Sequence, residues 1–345
     1  MEEQVFKNAQ GKTERPLAQF CGIHQKGYSF KLQRMMVHAG CEESFDQAVI
    51  HLKELACLDL SKTEIRRFTL LHGSKATVFQ EHIDLDVQVG AQTVLSQIDG
   101  SMLPILERPE DLPEDCDKRK YKQRIYKEIR LAYALNQETG QYYYQAKFVY
   151  KDQIKAFLQL VLDKVGYQKD QSNLYAMGDG AKWIHRVYQE IDKEVHYSID
   201  FYHLAEFIYP LLSDILPSAI NRNTNLSKDV WFKCFKSIVS ENQLISWIEQ
   251  ILANWEGEDI DKLRQYIASR MDCFDYQTLI KKDLPIGSGL IEGAHKSILQ
   301  QRLKKSGVGW EFNNIQSMVQ LKLLAANDLW DHYWDCQWIQ YRVAA

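Results

Sequence analysis

A chain of 345 residues, 45% hydrophobic and 26% charged, can form one large domain or two to three modest ones with a proper core. Its formal net charge of −4 excludes a surface coated in basic groups. No run of about 18 apolar residues occurs, so no transmembrane helix is expected, and the first residues lack the apolar core of a signal peptide. The seven cysteines are scattered without a CxxC pair, which argues against a cysteine zinc site and fits reduced thiols in a cytoplasmic protein.

Residues 1–40 show no single period and stay unassigned. Region 41–75 reads as a helix pair. Ser44 caps a helix over 44–57 whose Phe45, Ala48, Val49, Leu52 and Leu55 share one face. Ser61 with Glu64 forms a capping box for a second helix that His72-Gly73 is expected to end. Two short helices with a tight joint suit a helix-turn-helix, or equally an ordinary helical hairpin. Arg66 and Arg67 on the second helix are the candidate DNA donors.

Residues 92–107 read as a strand carried into a turn or second extended piece. The acid-rich stretch 107–117 reads as a solvated loop. The run 118–130 holds seven basic residues against one acid and is a candidate phosphate contact. Two strands, 127–137 and 141–150, joined at Glu138-Thr139-Gly140, are followed by a helix over 152–165. A strand then ends at Gly178, a helix starts at Ala181, and another strand ends at Asp200. Helix–strand alternation after an antiparallel start predicts a mixed α/β sheet. The expected catalytic core comprises 90–203 plus 285–345. The stretch 204–284 is helical throughout in period and long enough for a unit of its own.

Asp99 and Asp179 each follow an apolar run and precede glycine, where the backbone can turn and a bulky ligand approach. A lone Asp-Gly is usually only a turn, but here the pattern recurs at two strand ends. Glu292 follows a Gly-Ser-Gly turn, with Ser288 placed to cap its helix. Carboxylates gathered at strand ends suit Mg²⁺ or Mn²⁺. Two such ions about 4 Å apart stabilise both oxygens of a phosphoryl transfer. Asp200 and His203 could bind metal, place a water or hold a phosphate, or they could be a purely structural pair. Downstream of Glu292, Lys296, Arg302, Lys304 and Lys305 form a basic helix that could track DNA, and Trp310 could stack on a base. As an ordinary helix end, its lysines would simply complement the dipole.

The strings GDGAKWI, DFYHLAEFI and PIGSGLIEGAHKSILQQRLKKSGVGW resemble bacterial insertion-sequence transposases of the ISKra type, which are similar to the Mutator-like DDE transposases. The resemblance runs from about residue 41 to the C-terminus, with the 41–75 helix pair similar to that family's helix-turn-helix region. It implies a ribonuclease-H-like mixed-sheet core carrying an all-helical insertion. It implies Asp99, Asp179 and Glu292 as catalytic metal ligands, and Asp200 and His203 as the D-x-x-H signature, expected beside rather than on the metals. It also implies double-stranded DNA as partner, at element ends and target, and a homo-oligomer on that DNA. A transposase-derived protein that binds without cutting, and a nuclease on the same fold, stay open beside an active transposase.

Overall fold

A computed structural model of the chain describes residues 6–7, 9–11, 13–16, 23, 27–83, 85–87, 89–109, 117, 121–212, 227–305 and 309–344. Most of the acidic stretch 107–117, residues 118–120 of the basic run, 213–226 of the helical stretch and 306–308 lie outside them. After a short pairing of Phe6–Lys7 with Thr13–Glu14 come α1 (Phe30–Glu42), α2 (Phe45–Ala56) and α3 (Lys62–His82). The sheet elements follow: β1 (Thr93–Glu107), β2 (Gln123–Asn136), β3 (Tyr142–Lys147), α4 (Ile154–Asp163), β4 (Asn173–Gly178), α5 (Lys182–Ile191) and β5 (His196–Ile199). Next are α6 (Phe201–Leu211), α7 (Lys228–Ser240), α8 (Leu244–Asn254), α9 (Glu258–Ala268) and α10 (Tyr276–Lys281). The Glu292 helix begins as α11 (Gly289–Ala294), widens into a π-helical turn (His295–Gln300) and ends in Gln301–Leu303. Helices α12 (Phe312–Ala326) and α13 (Trp330–Ala344) close the chain. Among the described residues no helix is long and apolar enough to cross a membrane.

The five strands lie in the order β3-β2-β1-β4-β5. The β1–β2–β3 meander is antiparallel, while β4 and β5 run parallel to β1. This is the ribonuclease-H-like arrangement. The β2–β3 turn is set by Asn136, whose Oδ1 accepts the N–H groups of Glu138 and Thr139, and by Gly140 at φ 73°.

β1 is a single strand of 15 residues and not the two pieces expected. Its two ends serve different cores. Val94 and Ile98 join a cluster with α4, β4, α5 and β5, while Leu103 and Ile105 join one with the Glu292 helix and α12. The first cluster continues without a break into the helical stretch, through Phe201, Leu204, Trp231, Phe235 and Trp247. The helices of 204–284 therefore share the sheet's core.

The N-terminal side-chain caps are as read, Ser44 Oγ accepting from Gln47 N and Ser61 Oγ from Glu64 N, each at 3.1 Å. Among the described residues the expected capping box gives only this half, the Glu64 carboxylate accepting from Arg67. The expected stop at His72-Gly73 is wrong, since α3 continues to His82. Gly73 is a packing residue: a Cβ there would be driven into the backbone carbonyl of Ser317 on α12. A third cluster joins α1–α3 to Leu321, Leu324, Tyr333 and Trp334 of the last two helices.

Gly73→Ala separates two readings of that glycine. At an open helix position it would stabilise by about 1 kcal/mol. Against α12 it should destabilise by about 1–3 kcal/mol through overpacking, lowering the midpoint of denaturant unfolding. An unchanged or raised midpoint would refute the close approach of α3 and α12.

Candidate active site

The register of the sheet builds the site. The β1–β4 pairing ends at Gln97↔Met177 and the β4–β5 pairing at Gly178↔Ile199. Carried on by two residues and by one, the same alignment sets Asp99 level with Asp179 and Asp179 level with Asp200. Adjacent strands are about 4.8 Å apart, so three acids stand in a row where β4 and β5 stop. Asp99 itself is not at a strand end, contrary to the Asp-Gly reading: β1 runs through it for eight more residues. A Cβ at Gly100 would meet the side-chain ends of Glu128 and Arg130 of β2, which lie over it. Gly180 is a genuine turn glycine, at φ 87°.

Asp179 is exposed, and its Oδ1 accepts from Ala181 N at 2.8 Å. Asp99 is half-buried, with Oδ1 accepting from Gly100 N at 2.6 Å and Oδ2 at 3.2 Å from His295 Nε2. Burial alone would raise the pKa of Asp99. His295, the Gly100 N–H and the charge of His203 outweigh it and hold the carboxyl below its ordinary value. His295 is buried, and neither ring nitrogen makes an aligned hydrogen bond; its approach to Asp99 is an ion-pair distance only.

Asp200 is wholly buried and caps α6. Its Oδ1 accepts from His203 N at 2.7 Å and lies 3.1 Å from His203 Nδ1; its Oδ2 accepts from Ser288 N. Burial pushes its pKa up, but these donors prevail and keep it low. His203 moves the other way, to about 9. The bond to Asp200 raises it, burial opposes, and the charges of Asp200, Asp179 and Glu292 add to the rise. At neutral pH His203 is thus a cation among carboxylates.

Glu292 is exposed and accepts from Ser288 Oγ at 2.8 Å. The Ser288 side chain therefore does not cap the helix as expected; its hydroxyl steers Glu292 while its N–H holds Asp200. Gln97, wholly buried and two residues before Asp99 on the same face of β1, accepts from Ile291 N at 3.1 Å and donates to Gly287 O at 3.5 Å. The helix bearing Glu292 is thereby fixed to the strand bearing Asp99. Across the cleft, Arg130 lies 4.1 Å from the Trp183 ring centroid, in a cation–π contact beside Gly100. From the helical stretch, Arg270 Nε donates to Gly180 O at 3.1 Å and steadies the Asp179 turn.

Among the described residues, the group of three metal-type ligands lying within 4.8 Å of one another is Asp200, His203 and Glu292; Asp99 and Asp179 stand outside it. Asp200 and His203, read as neighbours of the site, thus share an ion-sized space with Glu292. Sequence reasoning missed Gln97, the bridging role of Ser288, and His295.

Two residues expected on an open DNA-tracking helix are turned inward. Trp310 is buried and cannot stack on a base: Nε1 donates to Leu303 O at 3.2 Å, and its backbone pairs with β1 at Pro104 and Leu106. Arg302 is 2% exposed, donates from Nε to Gly40 O at 3.2 Å and lies over the Phe45 and Trp310 rings, so it does not track a strand along an open helix face. Arg67 is held by Glu64 at 2.6 Å and covers Phe68. Arg66, Lys296, Lys304 and Lys305 are exposed. In the basic run, Lys122 pairs with Glu311, Lys127 with Glu107 and Arg130 with Glu128.

The Asp200–His203 bond predicts a pH signature in metal-free protein. Because the folded-state pKa exceeds the ordinary 6.5, its contribution to stability is complete below about 6.5 and is lost as pH rises through about 9. By NMR the His203 imidazole should titrate near 9, and clearly lower in Asp200→Asn. A midpoint near 6.5 in the unaltered protein would show the pair to be uncoupled.

No family model and no curated protein matches the chain. Among solved structures it is similar to the Drosophila P element transposase strand transfer complex, at 10% identity and a TM-score of 0.38, over 92% of this chain and 83% of that one. At that distance the likeness adds nothing to the ribonuclease-H-like reading, which rests on strand order and register.

Proposed function

We propose that the protein is a DDE-type DNA transposase of the ISKra, Mutator-like kind, cutting element ends and joining 3′-hydroxyls to target DNA. The observation that carries this reading is the shared level of Asp99 and Asp179, with the Glu292 helix tied to β1 through Gln97. Asp99, Asp179 and Glu292 fit as metal ligands because each keeps a carboxylate oxygen clear of any aligned protein donor. Asp200 fits less well, since three donors already occupy its oxygens.

Two bound Mg²⁺ or Mn²⁺ ions would supply Lewis-acid stabilisation of the attacking and leaving oxygens. Ser288 would orient Glu292 and Gln97 would tie its helix to the strand of Asp99, and Asp99, Asp179 and Glu292 would have to draw closer together around bound metal. Cationic His203, oriented by Asp200, would donate to an oxygen of the scissile phosphate. Arg130, braced on Trp183, would hold the flanking backbone. Lys296, Lys304, Lys305 and Arg66 would neutralise phosphates of the double-stranded ends and target, with a homo-oligomer holding the two ends together.

On DNA carrying the sequences that flank its gene, the protein should nick and then join strands with Mg²⁺ or Mn²⁺. Asp99→Asn, Asp179→Asn or Glu292→Gln should each cost on the order of 10²–10³-fold or more. Asp179→Asn should also abolish Mn²⁺ binding by calorimetry. Cutting without joined product would mark a nuclease instead, and tight binding without cutting a silent relative. A covalent protein–DNA adduct would sink the metal mechanism. His203→Ala should keep Mn²⁺ and DNA binding yet slow cleavage about 10- to 100-fold. An unchanged rate with only a lower melting temperature would make the pair structural.

A further inference from the structure

A second cluster of cations lies at the far end of β1, away from the acids. Lys62 and Arg66 of α3, Lys122 before β2 and Arg302 at the end of the Glu292 helix line one cleft, together with Leu106, Trp310 and Asn314. Two acids share it, and both are engaged. Asp46 pairs with Lys62 at 2.7 Å, and Glu311 pairs with Lys122 at 3.1 Å and Arg108 at 2.8 Å. Counting one charge each, four cations face two carboxylates, and the cleft keeps an excess of two positive charges.

Arg302 is the informative member. It is buried, and among the described residues its guanidinium makes one hydrogen bond, from Nε to Gly40 O. It has no carboxylate of its own: Glu42 is taken by Lys322 at 2.8 and 2.9 Å, and burial pushes the neighbouring Cys41 thiol up to about 12, leaving it neutral. The rings of Phe45 and Trp310 hold its guanidinium at 4.9 Å each, and Arg302 lines the cleft. Burial works against its charge more strongly than the nearby Glu42 supports it, and a desolvated cation is stabilised when an anion completes it. Arg66 makes no ion pair or hydrogen bond among the described residues and stands over the same opening.

We propose that Lys62, Arg66, Lys122 and Arg302 form a pocket for a backbone phosphate of duplex DNA, separate from the acid cluster and built jointly by the N-terminal helices and the sheet. The proposal rests on the reading of the protein as a DNA-cutting enzyme for its choice of polyanion. Guanidinium donors fixed on aromatic faces match the geometry of a phosphate's oxygens. Leu106, in the wall of the pocket, lies seven residues along β1 from Asp99. That is about 23 Å at the strand rise, or about seven base pairs of duplex at 3.4 Å each. One bound duplex could thus touch both places.

The test measures binding of a 30-base-pair duplex without divalent ions, by fluorescence anisotropy from about 50 to 200 mM salt. Asp179→Asn serves as background, so a loss of cutting cannot intrude. Arg66→Gln and Lys122→Gln alter half-buried or exposed side chains and should leave the melting temperature unchanged. Each should weaken binding several-fold at low salt and flatten the slope of log K against log salt by about 1. Lys228→Gln, on α7 and paired with Glu206, should change neither. A neutral methylphosphonate at the contacted phosphate should weaken binding by the unaltered chain, and by less in Arg66→Gln, where one of the pocket's four cations is already gone. Affinity and slope unchanged in both pocket variants would overturn the pocket while leaving the cleavage reading intact. Conversely, a pocket effect in a protein that never cuts would retain the site and remove the transposase.

Discussion

A buried amide with no water to turn to must find protein partners for both its ends. Gln97 finds them 190 or more residues downstream: its carbonyl takes a free N–H at the start of the Glu292 helix and its NH₂ reaches the Gly287 carbonyl. The rest of the acid cluster hangs on this interaction. Gln97 shares a strand face with Asp99, so whatever positions the amide also positions the helix against that aspartate. Ser288 carries the constraint one step further, holding Asp200 with its N–H and Glu292 with its hydroxyl. Asp200 and Glu292 are thus held close by neutral donors, and His203 brings a compensating charge among them.

The helices between α6 and the Glu292 helix are supports as well as an insertion. Tyr276 Oη donates to Ile199 O at 2.9 Å, where β5 ends just before Asp200, and Arg270 braces the turn after Asp179. Phe207 and Tyr266 stack at 4.0 Å behind that turn. A hydrophobic period along a sequence identifies such helices but not what they lean on, so 204–284 read as a unit apart. The shared core shows that the sheet's edge is incomplete without it.

Local signals were the legible part. Side-chain caps at Ser44 and Ser61 act over three residues, and alternation along β2 acts over two, so both could be read directly. The acids could be picked out because carboxylates beside glycine at the end of apolar runs are chemically unusual. What could not be read was the purpose of a glycine. Gly73 has the same residue identity as a turn glycine, but it lets the backbone of another helix approach. The same limit hid Trp310 and Arg302. An aromatic and a cation on a basic helix suggest a ligand surface, and only the fold shows them turned inward against Phe45. Likewise His295 lay in plain view, but its meaning depends on Asp99, nearly two hundred residues earlier.

The seam between α3 and α12 also sets a timetable for synthesis. Phe68, Ala76 and their neighbours are made early, yet the side chains that cover them, Leu321, Leu324 and Tyr333, arrive near the very end. At about 5–20 residues per second, a ribosome takes roughly 12–50 s to travel from Gly73 to Ser317. For that interval the apolar faces of the first helices have no native partner and depend on chaperones or on one another. Helix α12 covers these faces with Leu321 and Leu324 and packs on the Glu292 helix with Met318 and Val319, so one helix joins the two clusters.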